Sequence, residues 1–431
     1  MHSQDISLDA ISKVEGHARL DLRIRDGQVE HVHYQIQEYK RFYSRAVEGK
    51  PLVAIPPLLS RICGTCSNAH VMCAIEACEN AIGLQPSPQT MDLRQLTMYG
   101  LNIRDHALHL YVFVMPDLYG KDNFLSFDES DEEQHQHLHD CFELKAAGNF
   151  LAQVVAGRSV HATYPAIGGF THVLSEGEVE EAVAKLTAAR PAALRCIRTF
   201  ERLDWSFDRD MDYQALVPEG SYWYLDGEVV TSAGERYGEK RYPELLERVV
   251  LPYSTASAYT HNGRPFMVGA LARLNLAKGM LHPKTRKSLG RTLDVFPSTN
   301  IYRNNLAQAI ELLHSIDHSI ELLQGRQFAA EAPVKAELRE GEGIGVVEAP
   351  RGTLYHKIVV GEDGLVRRGE VIVPTGQNQI NIERDIAGVV NGLLPDTDRP
   401  TIEHEIEKLV RAYDPCMSCA THFLKFNWKE A

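Results

Sequence analysis

Two cysteine pairs carry the chemistry legible in this chain. The stretch RICGTCSNAH contains Cys63, Cys66 and His70, and DPCMSCATH contains Cys416, Cys419 and His422. A C-x-x-C spacing lets two thiolates converge on one ion. Two such pairs supply four soft ligands, a set that favours zinc, an iron-sulfur cluster or nickel over hard cations. A structural zinc staple is the plainest form of such a site. Zinc ribbons place their pairs within about 15–20 residues, whereas about 350 positions separate Cys66 from Cys416. The spacing therefore predicts a closed metal centre joining the two ends of the chain. The other four cysteines, Cys73, Cys78, Cys141 and Cys196, have no partner spacing and read as small buried apolar side chains.

Bringing distant sulfurs together requires a large body between them. The 431 residues are 44% hydrophobic and 24% charged, ordinary values for a chain with a sizeable core. Against 45 basic residues stand 58 acidic ones, a net charge of −13 without a local basic patch, which argues against nucleic acid or anionic membranes as partners. The start MHSQDISLDA lacks a secretory signal's basic and apolar regions, and no apolar run approaches the ~20 residues of a membrane span. A cytoplasmic protein is expected. Alternating Leu20, Leu22 and Ile24, an Asp26-Gly27 turn and a return run predict a β-hairpin over 18–37. Helical spacing marks 66–82, 91–115, 132–157, 176–203 and 303–325, giving a mainly helical core over 66–325. A β-rich segment at 344–374 and a helix near 401–412, stopped by Asp414-Pro415, complete the pattern. The charged stretch 206–250 reads as an irregular excursion. The expected fold class is α+β, a central bundle of long helices with small peripheral antiparallel sheets, in one domain over 1–431.

With its flanking motifs included, the sequence resembles the large subunit of nickel-iron hydrogenases over essentially its whole length. RICGTC with His70 and DPCMSC with His422 match that family's two signatures. ISKVEGH at 11–17, SRAVEG at 44–49, HLYVFVMPD at 109–117, GGFT at 168–171, EAPRG at 348–352 and VPT at 373–375 follow in the family's order. HALHLY, RPFMVGALARL, NNLAQA and VRAYDPC are most similar to the cytosolic, nucleotide-linked sulfhydrogenase-type group.

The resemblance implies that all four cysteines bind nickel. Cys63 and Cys416 would be terminal, and Cys66 and Cys419 would bridge to an iron carrying carbon monoxide and cyanide. Heterolytic cleavage of dihydrogen needs a Lewis-acidic metal to hold hydride and a nearby base for the proton, and thiolate combines polarizable donation with basicity. Cys416 is then the first proton acceptor. Glu15 matches the family's proton-gate glutamate, a role that suits a partly desolvated carboxylate; otherwise it is a solvated surface residue. Arg351 matches an arginine held over the open metal site, in contrast to the usual solvent-facing arginine of a turn. Asp117 and Asp414 match aspartates that orient Arg351 and hold the turn. His70 resembles a histidine donating to a bridging sulfur, or is a satisfied core histidine. Pro374 and Thr375 resemble residues contacting cyanide. Glu48 and His422 resemble ligands of a separate magnesium or iron ion.

With four cysteines on nickel and the rest scattered, iron-sulfur clusters belong to a partner small subunit. No Gly-rich phosphate loop is evident, so flavin and NAD(P) fall to diaphorase partners. Two departures from the family pattern stand out. Ala46 replaces a frequent glycine, and Phe423–Ala431 extends beyond His422, either as a peptide removed by a maturation endopeptidase after metal loading or as a retained, packed tail. The implied function is reversible dihydrogen oxidation; the rival readings are a noncatalytic dihydrogen sensor and a zinc-bound structural homologue.

Overall fold

The N-terminal alternation makes the expected hairpin, with a further edge strand. In the computed structural model, which describes residues 4–38, 42–335 and 337–421, β1 (Gln4–Leu8), β2 (Ala18–Arg25) and β3 (Gln28–Ile36) form an antiparallel sheet in that order. Asp26 and Gly27 both have positive φ, 52° and 77°, as a two-residue hairpin turn requires. Leu20, Leu22 and Ile24 point into the core.

The helices lie close to their expected positions because their ends carry local stop signals. α1 (Ser67–Ile82) starts directly after Cys66 and stops at Gly83, whose left-handed φ of 70° closes the helix. α2 (Pro88–Ala107) is capped by Ser87, whose hydroxyl accepts the Thr90 N–H at 3.1 Å. It continues through a wider π-type turn over Leu108–Val114 and a last turn, Met115–Leu118. α3 (Glu132–Ala156) is capped by Asp131, and α4 (Glu176–Glu201) by a reciprocal Ser175–Glu178 box. α5 (Ala270–Ala277) and α6 (Arg303–Gly325) follow; α2, α3, α4 and α6 pack side by side.

The stretch read as an irregular excursion is instead partly a sheet. β4 (Asp212–Val217), β5 (Glu228–Thr231), β6 (Arg236–Tyr237) and β7 (Phe266–Met267) are ordered β7-β4-β5-β6, with β7 parallel to β4. β4 is buried on both faces from Tyr213 to Val217, so no polar–apolar alternation betrays it. The 344–374 region forms three antiparallel strands, β8 (Gly341–Ala349), β9 (Gly352–Val360) and β10 (Val366–Ile372). β8 lies directly on α1. A Cβ at Gly343 or Gly345 would sit 2.1 Å from the Ala77 carbonyl oxygen or 2.2 Å from that of Cys73, so only glycine permits the approach.

One long helix was not anticipated. α7 (Pro374–Leu393) follows β10 without a loop, and the N-terminal half of its buried face is amide, Gln377, Asn378, Gln379 and Asn381, before Ile382, Ile386 and Val390 enter the apolar core. Gln377 donates to the Thr353 carbonyl at 2.7 Å, Gln379 to that of Tyr34 at 2.9 Å, and Asn378 brackets Val268 with two bonds of 2.9 Å. Helical periodicity in apolar residues is therefore diluted at the face that packs. α8 (Arg399–Ala412), capped by Asp398, leads into Asp414-Pro415. A continuous apolar cluster runs from Ile6 to Ala420. Among the described residues, no helix is long and apolar enough to cross a membrane.

Candidate metal centre

Each cysteine pair sits where a regular element begins or ends, so its backbone is fixed while its sulfurs stay free. Cys63 is extended after the turn Ser60–Ile62, and Cys66 immediately precedes α1, its carbonyl accepting the Ala69 and His70 N–H groups. At the other end, Asp414 takes a left-handed φ of 50°, tolerated by aspartate better than by bulkier residues, and Pro415 blocks continuation of α8. Cys416 then directly precedes the short helical turn Met417–Ala420, which carries Cys419. The N-terminal segment pins that turn: Glu15 bridges to Cys416 as in a parallel ladder, and the Met417 N–H donates to the Glu15 carbonyl at 3.0 Å.

The four sulfurs meet. All lie within 4.8 Å of one another and all are buried; Cys63 is 3.4 Å from Cys416, Cys66 is 2.9 Å from Cys419, and Cys416 is 3.0 Å from Cys419. Ligands at metal–sulfur distances of about 2.3 Å can be at most about 4.6 Å apart, so the set is close to the size of one ion's shell. Among the described residues it is the one group of three or more His, Cys, Asp or Glu side chains so placed. Hydrogen bonds from Cys416, then Cys419 and Cys66, pull the Cys63 thiol well below its usual range, whereas burial pushes Cys416 and Cys419 well above theirs. Four sulfurs this close do not all ionise against one another unless a cation balances them; a bound metal deprotonates a coordinating thiol outright. The donor set thus fits a soft divalent metal.

Charged groups surround the sulfurs asymmetrically. Glu15 Oε2 lies 3.0 Å from Cys416 Sγ and accepts the Ser418 N–H at 3.2 Å. Burial first, then the Cys63 charge, raises its carboxyl above the ordinary range against the opposing hydrogen bonds. Arg351 Nη1 donates to Asp105 Oδ2 at 2.7 Å, and Nη2 lies 2.9 Å from Asp414 Oδ1. Burial alone would depress this guanidinium, but Asp105 and Asp414 outweigh it and keep it charged, near enough to act on Cys416 and Cys66. Arg351 Nε is buried with no hydrogen-bond partner among the described residues, a donor suited to an anionic group at the metal. His70 Nε2 lies 3.7 Å from Cys419 Sγ and its Nδ1 is 3.1 Å from His356 Nε2. Burial pulls His70 down to about 4, so it is neutral at physiological pH and one ring nitrogen carries a proton to donate. Thr375 Oγ1 accepts the Cys416 N–H at 2.9 Å, and Pro374 is buried at the first turn of α7.

The remaining expected residues are placed differently. Asp117 does not touch Arg351. It pairs with Arg411 at 2.7 Å and Lys13 at 2.7 Å, tying α8 to the N-terminal segment. The partner of Arg351 beside Asp414 is Asp105, which the sequence reading missed although it directly precedes the HALHLY block. Gln308 of α6, inside NNLAQA, holds Asp414 Oδ2 at 2.9 Å and was also missed. An aspartate in a long helix has no local mark of facing an arginine about 250 residues away. Glu48 is half-buried and pairs with Arg45. Its expected companion His422 and the tail Phe423–Ala431 lie outside the described residues.

Known proteins share this arrangement at the level of sequence and fold. The family model for nickel-dependent hydrogenases matches residues 45–140 and 221–422. The chain is 31% identical to sulfhydrogenase 1 subunit alpha of Pyrococcus furiosus, covering 97% of this chain and 98% of the relative. It is 26% identical to the NAD-reducing hydrogenase HoxS subunit beta of Cupriavidus necator, covering 98% and 95%. A solved NAD+-reducing [NiFe]-hydrogenase in the H2-reduced state superposes with a TM-score of 0.84 at 25% identity, covering 97% of this chain and 99% of that one. With its four converging cysteines and its match across both ends, the chain belongs to the nickel-dependent hydrogenase family and has that family's large-subunit fold.

Proposed function

We propose that this chain is the catalytic large subunit of a cytoplasmic nickel-iron hydrogenase, folded as one domain, that interconverts dihydrogen with two protons and two electrons. The observation that carries the reading is the meeting of four sulfurs from the two ends of the chain beneath a charged, incompletely bonded guanidinium. A nickel-iron centre with carbon monoxide and cyanide on iron supplies the Lewis acidity that polarises dihydrogen and the capacity to take its two electrons.

The chain's own residues do the rest. Cys63, Cys66, Cys416 and Cys419 hold the metals. Cys416 Sγ takes the first proton and passes it to Glu15 Oε2, which is at hydrogen-bond distance, 3.0 Å. Arg351, held by Asp105 and Asp414, would present fixed positive charge to dihydrogen at such a centre. His70 donates to the Cys419 sulfur and adjusts its basicity. Pro374 and Thr375 would contact the cyanide of such a centre, and Asp117 anchors the segment that carries Glu15. Glu48 and His422 would hold magnesium or iron at a second site. Electrons leave through an iron-sulfur small subunit, because Cys73, Cys78, Cys141 and Cys196 are buried and dispersed. Delivery to NAD(P) through flavin-bearing diaphorase subunits is supported by the similarity to an NAD-reducing enzyme. Maturation factors load the metals, with an endopeptidase as the candidate for trimming Phe423–Ala431.

The test is infrared spectroscopy of the fully matured complex together with dihydrogen-dependent dye reduction. Bands of metal-bound carbon monoxide and cyanide with dye reduction are expected. Absence of those bands with stoichiometric zinc would overturn the reading in favour of a structural homologue; bands without turnover would make the chain a sensor.

A further inference from the structure

Arg351 sits in a two-residue turn between β8 and β9, so the aim of its side chain depends on how rigidly Ala349–Gly352 is held. A second, fully buried arginine grips that turn from behind. Arg273 of α5, inside RPFMVGALARL, uses all five of its N–H donors. Nε and Nη2 make a fork on Glu311 of α6, each at 2.7 Å. Nη1 donates to Glu348 Oε2 at 2.7 Å and to the Ala349 carbonyl at 3.1 Å, and Nη2 donates to the Pro350 carbonyl at 3.0 Å. The two carbonyls immediately before Arg351 thus end on one guanidinium.

The counterions are themselves fastened. Glu311 also accepts from Tyr222 OH at 2.6 Å and lies 2.8 Å from His106 Nε2. Glu348 Oε1 accepts the Leu216 N–H and the Thr353 hydroxyl, each at 2.7 Å, so the far side of the turn is tied to the same carboxylate. Gly352, at φ 129°, leaves no room for a Cβ, which would lie 2.8 Å from the Gly269 nitrogen. α5, α6, β4 and the strand before the turn therefore converge on the turn Ala349–Gly352 that carries Arg351.

We propose that Arg273, with Glu311 and Glu348, is the positioning residue that sets the aim of Arg351 over the metal centre. The inference rests on the hydrogenase reading above. A lysine cannot reproduce the fork and both carbonyl bonds at once, since it offers three donors from one point. A displacement of the order of 1 Å at a reacting centre costs about 100-fold in rate.

The test compares Arg273→Lys and the milder Glu348→Gln with the parent in the matured complex. Expected are near-parental nickel content, cyanide infrared bands displaced in position, and turnover per nickel lowered about 10- to 100-fold by the loss of orientation. Band position is independent of how much protein loads metal, so a merely structural role would lower band intensity and leave position unchanged. In the metal-free chain, amide exchange over 349–353 should accelerate in both variants. Unshifted bands and parental turnover per nickel in Glu348→Gln, or unchanged exchange over 349–353, would overturn the proposal. If Arg273→Lys fails to accumulate, Glu348→Gln decides alone. Failure of the hydrogenase reading shows itself separately, as missing carbon monoxide and cyanide bands in the parent, while the exchange measurement still reads the clamp.

Discussion

At the scale of single residues, function depends on which of several identical side chains lie in the right field. Eight cysteines are all buried, yet only Cys63, Cys66, Cys416 and Cys419 converge as a metal-sized set among the described residues. Cys419→Ala should therefore abolish nickel retention, because a thiolate ligand is lost. Cys196→Ala should keep nickel and activity near parental and cost about 1 kcal/mol of packing; metal analysis and dye reduction on both variants check this. Glu15 differs from its many solvated counterparts in the same way, through burial and a sulfur 3.0 Å away. Glu15→Gln preserves the shape and removes the titrating proton. Exchange of dihydrogen isotopes with solvent should slow at least about tenfold, as loss of a positioned acid–base group does, with metal content unchanged. Exchange at the parental rate would move the proton exit elsewhere.

At the scale of elements, α7 shows how polar packing creates conditional stability. Glu383 on this helix accepts the Tyr34 N–H of β3 at 2.9 Å and the Tyr253 hydroxyl at 2.9 Å. Burial raises its carboxyl from 4.5 to about 7. The folded chain therefore binds a proton that the unfolded chain has already released between those values. The site's contribution is complete below the unfolded pKa and is lost as pH rises through about 7. At roughly 1.4 kcal/mol per pKa unit, this amounts to about 3–4 kcal/mol. Glu383→Gln should raise the Tm at pH 8 and leave it nearly unchanged at pH 4.5. Thermal melts of parent and variant at the two pH values measure the difference.

At the scale of the whole molecule, the two cysteine pairs meet at four sulfurs placed for one ion, and an ion held there would belong to the folding equilibrium. Binding that occurs only when both pairs are assembled stabilises the native state by mass action. Nickel-free chain should melt at lower temperature than loaded chain. Its amide exchange should be faster over 12–17 and 414–421, where Glu15 and Met417 bridge, while α2 and α6 stay protected. Uniform exchange in the two states would mean that the sulfur cluster is held by packing alone.

Local chemistry made much of this legible without coordinates. Pairs of cysteines at chelating spacing, helical spacing over 176–203 and alternation ending in Asp26-Gly27 are local patterns, and the elements that they mark formed close to the expected positions. The amide-rich α7, the doubly buried β4 and the exchange of Asp117 for Asp105 were decided only in three dimensions. Periodicity reports a helix or strand when one face is apolar and the other wet. It is silent when the buried face is made of Gln and Asn, or when both faces are covered. Ion-pair partners are chosen last of all. Which carboxylate faces Arg351 depends on how α2, β8 and the Asp414 turn pack together, and no spacing in the chain encodes that distance.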